Sequence, residues 1–279
     1  MSVLSTAALL TPAYAAPPEA VDAIRVVVET NFGPFTVELY PREAPANVAR
    51  FLARAGGGPL PAGVREVAPY AGSQLCESRA HGYLVFGCVP HDGGPERPRA
   101  PRKEPPAPDE IDAAALGLGT RTIDDPADVN WLWQSEIVPR YTRLREAGKP
   151  VPAGLEALVD GLERDGTAAT ARLAGTSRQR YLEALGFRYA PGLSARPVAR
   201  GAVATANTWP DEADERFLIA LDDMPERDGR ATVFGRVVDG WNTVLAIAEL
   251  PVDKLRRPLA PVHVTRITTT PLTSPEVTR

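Results

Sequence analysis

The side chains able to do chemistry are few in this sequence and far apart. Three histidines, His81, His91 and His263, fall in a turn, a loop and the final strand. No two of them have the helical or cross-strand spacing of metal ligands, so neither a metal site nor a cofactor is expected. Asp124-Asp125 and Asp222-Asp223 are paired carboxylates, but they read as turn and capping residues. More informative is GAVATANTWPDEADERFLI (201–219). It alternates small and apolar residues, breaks at Trp209-Pro210 into an acidic loop, and returns to an apolar run. That is the outline of two strands flanking a binding loop, with Arg216 and Leu218 standing where working side chains belong.

The elements that must position these residues follow from hydrophobic period. IRVVVET, the turn NFGP and FTVELY read as a β-hairpin, with Phe35, Val37 and Leu39 alternating against Thr36 and Glu38. PREAPANVARFLARAGGG follows as a helix that tolerates Pro45 in its first turn and buries Val48, Phe51 and Leu52. A second hairpin spans Tyr70 to Val89, turning near His81-Gly82. If its arms pair symmetrically about Gly82, Cys76 and Cys88 lie directly opposite, with Cβ atoms about 4.5–5.5 Å apart. A disulfide is expected there; two buried free thiols are the alternative. The Pro-rich, charged stretch 90–108 reads as a loop or semi-rigid linker.

From about 111 to 190 the period becomes helical. Pro139 is expected to kink or interrupt the first of these helices, and Trp131 and Trp133 to pack within them or onto the rest, a partner surface being the sharper alternative. The β pattern resumes after Gly201. TVFGRVV is a strand, Trp241–Glu249 a helix with Trp241, Val244, Leu245 and Ala248 inward, and PVHVTRITTT a closing strand.

With 279 residues, 44% of them hydrophobic, the chain can bury one good core and has the length for a small second module. A net charge of −4 without a long Lys/Arg run argues against nucleic acid. No apolar run is long enough to span a bilayer. VLSTAALL followed by Ala13-Tyr14-Ala15 fits a short export signal, though without a basic start, and predicts a mature chain from near Ala16 in the periplasm or outside the cell. A cytoplasmic protein with an Ala-rich arm is the alternative.

Two stretches carry a family resemblance. VVVETNFGPFTVELYPREAPANVARFL resembles the opening hairpin and helix of the cyclophilins, and DGRATVFGRVVDGWNTVLAI resembles their late strand and second helix. GAVATANT with RFLIAL is similar to the substrate-binding strands between them. The resemblance covers about 24–90 and 200–268. It implies a mainly β fold: a closed eight-stranded antiparallel barrel with two capping helices. The parts would be a signal at 1–15, the barrel at 24–110 and 199–268, an inserted helical subdomain at 111–198, and a loose tail at 269–279.

The activity this resemblance implies is rotation about the X-Pro peptide bond, whose barrier of about 18–20 kcal/mol comes from amide resonance. Catalysis needs a proline pocket, anchors for the flanking backbone and a donor aimed at the prolyl nitrogen. In the family the donor is the arginine of a Phe-His-Arg-Val stretch. Here the matching region is LCESRAHGYLVFG. Counting forward from Tyr70 puts Glu77 at that place, and counting back from Tyr83 puts Ser78 there. Arg79 serves only if a bulge turns it inward.

Tyr83 and Leu84 match the family's pocket floor, and Phe86 replaces a glutamine. Ala206 and Asn207 keep the pair whose backbone aligns the peptide as an added strand. Arg216 replaces a glutamine and would be a relocated donor only if it reaches the groove, while Leu218 replaces the pocket phenylalanine. Glu226 and Ala231 stand where the family has a tryptophan and a histidine. The resemblance thus implies an isomerase of reduced activity acting on proline-containing peptides or unfolded segments. The alternative is a non-catalytic relative that binds peptides or a protein partner, the inserted helices contributing a surface or covering the groove.

Overall fold

The computed structural model describes residues 22–56, 69–88, 105–193, 195–210 and 212–270. The expected signal, most of the Pro-rich stretch and the tail from Pro271 lie outside these described residues.

The opening hairpin pairs β1 (Ile24–Thr30) with β2 (Gly33–Leu39) in a register that sets Val26 against Val37 and Val28 against Phe35. All four are buried, because period-2 alternation sends them to one face. Helix α1 (Pro45–Arg54) buries Val48 and Phe51 against that face, while Leu52 is half-buried. Ala44 has no side chain to cap it. The Glu110 carboxylate does so instead, accepting from the Ala46 and Asn47 amides at 2.9 Å each.

The second hairpin is shorter than its sequence suggests: β3 (Glu77–Arg79) and β4 (Tyr83–Phe86). Arg79 pairs with Tyr83, so the turn is centred on His81, which takes a left-handed φ of 63°. The centre at Gly82 was one residue off.

The region between β4 and β5 forms helices only from Pro126 onward. Residues 105–125 run as turns, since Pro105, Pro106 and Pro108 and the glycines at 117 and 119 do not favour a helix. Helix α2 (Pro126–Leu132) passes through a π-helical turn, Trp133–Ile137, into α3 (Val138–Glu146). The wide turn just ahead of Pro139 accommodates a ring that would clash with the preceding turn, so the chain bulges where a break was expected. Asp125 caps α2 at the Ala127 amide, 2.8 Å away. Trp133 is buried, but Trp131, two residues earlier and so on another face, is 57% exposed.

Helices α4 (Ala153–Asp165), α5 (Thr167–Ala171) and α6 (Arg178–Ala184) complete this region. Of these, α4 and α6 share an apolar cluster with Leu118, Trp133, Ile137 and Phe187, separate from the barrel core.

Strands β5 (Ala202–Thr205), β6 (Phe217–Ala220) and β7 (Val233–Asp239), helix α7 (Trp241–Ala248) and β8 (Val264–Thr270) finish the fold. Thr269 and Thr270 belong to β8 and not to a tail. In α7 the buried residues are Val244, Ile247 and Ala248, whereas Trp241 and Leu245 are half-buried. The eight strands form one antiparallel sheet in the order β3-β4-β6-β5-β7-β2-β1-β8. Its edges are drawn together where Gly72 N donates to Val264 O (2.8 Å) and Leu75 N to Val262 O (2.9 Å). The mainly β, eight-stranded antiparallel fold predicted from the sequence is observed, as a curled sheet with β3 and β8 at the ends of its strand order.

Gly87 marks a close approach. Its φ is +93°, and a Cβ there would sit 2.7 Å from the Glu215 carbonyl oxygen. Gly87→Ala is expected to cost about 2–3 kcal/mol, from backbone strain plus the clash. Urea unfolding checks it, and a loss below about 0.5 kcal/mol would show that the strand relaxes freely.

Candidate functional site

Because β4 pairs with β6 and β6 with β5, three short strands share one outer face. Along β4, Tyr83 and Val85 point to it; along β6, Leu218 does. Beyond the end of β5 the chain continues through Ala206 and Asn207. These residues line an open cavity of about 260 Å³, together with Glu77, Arg143, Thr208, Trp209, Glu212, Arg216 and Arg227.

The structure divides the sequence-derived site residues. Tyr83, Ala206, Asn207, Leu218 and Arg216 lie in the cavity wall. Leu84 and Phe86 do not. Both are fully buried in the barrel interior, where Phe86 stacks on Phe217 at 5.6 Å between centroids. The reason is the period of two: once Tyr83 faces outward, Leu84 and Phe86 must face inward. Val85, which matching by residue type passed over, takes the groove position.

The same alternation settles the donor position. Ser78 faces inward, with its hydroxyl 3.5 Å from the Ala248 carbonyl, and Glu77 faces the cavity. Of the two places at which the resemblance puts the arginine, the one that faces the cavity holds a carboxylate. Its Oε1 accepts from Arg79 Nε at 2.7 Å and from the Tyr83 hydroxyl at 3.1 Å. The Arg79 guanidinium also lies over the Tyr83 ring, 5.3 Å from its centroid, and outside the cavity lining. Two residues from Glu77 and paired with Tyr83, Arg79 shares their face without any bulge, and it is the Glu77 carboxylate and the Tyr83 ring that hold its guanidinium away from the cavity. Burial first, and then the Glu77 charge, push the Tyr83 hydroxyl above its ordinary pKa, so it stays a neutral donor.

Arg216 reaches the groove, but its fork is already engaged. Nε and Nη2 donate to the two oxygens of Asp214 at 3.0 and 2.9 Å, and Asp214 is almost fully buried. Arg227 is the residue that sequence reasoning missed. Its guanidinium lies 4.7 Å from the Tyr83 ring centroid, and Nη1 is 3.4 Å from the Asn207 carbonyl oxygen. Nothing in the local sequence Pro-Glu-Arg marks it, because a short 3₁₀ turn decides where it points. Glu226 beside it is exposed, and Ala231 is buried.

The Asn207 side chain holds the loop in shape, donating to the carbonyls of Trp209 (3.1 Å) and Arg230 (3.2 Å). The inserted helices flank the groove without filling it. Arg143 stands at its rim, and Arg140 donates to Glu212 at 3.0 Å while lying over the Trp209 ring.

The cysteines form a disulfide, with Cα atoms 5.7 Å apart. They are not directly opposite, however: Cys88 pairs through its backbone with Gln74, so the bridge runs diagonally. The change follows from the turn centre at His81. Among the described residues, no three His, Cys, Asp or Glu are grouped to hold a metal, and no helix is long and apolar enough to cross a membrane.

The family model described as "Cyclophilin type peptidyl-prolyl cis-trans isomerase/CLD" matches residues 25–269. The chain belongs to this family. Peptidyl-prolyl cis-trans isomerase-like 3 of Homo sapiens and of Gallus gallus are each 41% identical over 70 residues, 25% of this chain and 44% of theirs. The chain thus matches less than half the length of these curated relatives.

Among solved structures, a cyclophilin-type peptidyl-prolyl cis-trans isomerase of Cryptosporidium parvum is similar at a TM-score of 0.45 and 14% identity. The match covers 89% of this chain and 98% of that one. A structure of the same parasite protein in the presence of the dipeptide Ala-Pro gives 0.44 and 14%, covering 88% and 99%.

Proposed function

We propose that the groove binds extended X-Pro segments and isomerises them slowly. The peptide backbone lies along Ala206-Asn207 and the proline rests against Tyr83 and Val85, with the fully buried Leu218 behind them. The observation that carries this reading is the open cavity of about 260 Å³ on the face of β4, β6 and β5, with an acceptor, Glu77, at the expected donor position. A missing transition-state donor commonly lowers a rate about 100- to 1000-fold. Arg79, neutralised by Glu77, and Arg216, clamped by Asp214, are poorly placed to replace it.

An isomerisation assay on a panel of X-Pro peptides tests this, with wild type beside Glu77→Arg, Arg79→Ala and Arg216→Ala. The expected result is a small acceleration by wild type that Glu77→Arg raises by about tenfold. A fast wild-type rate abolished by Arg79→Ala or Arg216→Ala would overturn it. Peptide binding with no acceleration at all would instead favour the purely binding role.

We also propose that the protein is exported to the periplasm or beyond. The Ala13-Tyr14-Ala15 pattern and the Cys76–Cys88 bridge support this, since disulfides persist in oxidising compartments. N-terminal sequencing of the mature chain checks it, with a start near Ala16 expected.

A further inference from the structure

The groove is electrostatically unbalanced. Its lining holds three guanidiniums, from Arg143, Arg216 and Arg227, against two carboxylates, from Glu77 and Glu212. Glu77 is engaged by Arg79 at 2.7 Å, and Arg216 by Asp214 at 2.9 Å. Glu212 is shared between Arg140 at 3.0 Å and Arg143 at 3.9 Å. Arg227 has an aromatic ring and a carbonyl for neighbours, and among the described residues no carboxylate forms an ion pair with it. Positive charge therefore gathers on the groove of a chain whose net charge is −4.

Arg227 is also held in place from both sides. Glu226 O accepts from Arg178 Nη2 at 2.5 Å, and Asp228 pairs with Arg121 at 2.9 Å. Gly229 O accepts from the Tyr189 hydroxyl at 3.2 Å, and Arg230 pairs with Glu136 at 2.6 Å. Each of these partners belongs to the region between β4 and β5. The insertion thus grips the turn that carries Arg227, and the order this imposes is already established before a ligand arrives.

A guanidinium stacked on an aromatic ring keeps its N–H edge available, and that edge matches the two oxygens of a carboxylate. Tyr83, beneath it, is part of the floor on which the proline would rest. Asn207, beside it, belongs to the segment after β5 that would align the peptide backbone. A residue adjacent to the proline is therefore the one within reach.

We propose that the groove selects X-Pro segments with a carboxylate side chain next to the proline, that Arg227 reads this carboxylate, and that the inserted helices are the frame positioning it. This rests on the peptide-binding reading above.

Calorimetric titration of the full chain with the peptides Ala-Glu-Pro-Phe, Ala-Gln-Pro-Phe and Ala-Ala-Pro-Glu tests it, with a phosphoserine-Pro peptide as a further arm. One of the two Glu peptides should bind about tenfold tighter than the Gln peptide at low salt. The ratio should shrink several-fold when the salt is raised to about 0.5 M. In Arg227→Gln the ratio should fall toward one, and Arg227→Lys should restore part of it. The salt series uses wild type alone, so the test does not depend on how a variant folds.

Measurable but equal binding of Glu and Gln peptides would overturn the proposal and leave the peptide site standing. Equal loss of both peptides in Arg227→Gln would make Arg227 a general contact, which also overturns it. Tight binding of the phosphoserine peptide without a Glu preference would replace the carboxylate by a phosphate. If none of the peptides binds, both the proposal and the reading beneath it fall.

Discussion

Replacing Glu136 by alanine is expected to cost about 3–5 kcal/mol of stability. Glu136 lies in the π-helical turn between α2 and α3, and its Oε2 accepts from Arg230 Nη2 at 2.6 Å and from the Tyr181 hydroxyl at 2.5 Å. Arg230 is buried, at 8% exposed, and Glu136 is mostly covered, at 14%. Removing the carboxylate leaves a desolvated guanidinium whose Nε already lacks a partner. The desolvation cost then stands without its compensating attraction.

Replacing both members by apolar groups of similar volume is expected to be much milder, because no orphan charge remains. Urea unfolding of Glu136→Ala, Arg230→Met and the Glu136→Leu/Arg230→Met double variant checks this. A loss below about 1 kcal/mol in Glu136→Ala would mean that water reaches Arg230 and that the pair is not buried in solution. The functional consequence distinguishes this contact from a merely structural one. Arg230 anchors the turn that bears Arg227, so Glu136→Ala should also reduce the preference for acidic peptides at temperatures where the protein is still folded.

The barrel was legible in the sequence because its signals are local. The first hairpin announces itself by alternation, α1 by its stripe of Val48 and Phe51, and the closing strand by Val262, Val264 and Ile267. What stayed hidden depends on contacts distant in sequence. Glu110 caps α1 from another part of the chain, and nothing near Ala44 foretells it. Period 2 identifies which residues share a face but leaves open which face is inside.

That ambiguity decided the site. Once the turn centres on His81, Glu77, Tyr83 and Val85 face the groove, and Ser78, Leu84 and Phe86 face the core. Alignment with the family motif put Leu84 and Phe86 in the groove, Phe86 at a glutamine's place, but both are apolar and the barrel interior takes them. Arg227 was invisible for a different reason. An arginine in a short polar turn looks like any solvated arginine until the insertion's partners at residues 226, 228, 229 and 230 are known. Asp125, by contrast, needed only its own helix, and its capping role was readable at once.

Breaking the Cys76–Cys88 bridge is the other change expected to be large, at about 3 kcal/mol. The bridge spans a sequence separation of 12, and closing a loop of that length removes roughly this much freedom from the unfolded chain. The native side of the balance matters here as well. The hairpin it braces has strands of only three and four residues, and its β3 arm lies at the end of the strand order. Two such short strands contribute little pairing of their own, so the cross-link carries more of their order than it would in a long hairpin.

Glu77, Tyr83 and Val85 all sit on this hairpin. Loss of the bridge should therefore weaken peptide binding as well as lower the melting temperature. Reductant should lower the melting temperature of wild type to near that of Cys76→Ser/Cys88→Ser and leave the double variant unchanged. Both cysteines are in the bridge and no free thiol remains, so the comparison has no competing disulfide exchange within the chain. If reductant leaves the wild-type transition where it was, the hairpin is held by its packing on β6, and the groove's shape does not depend on the bridge.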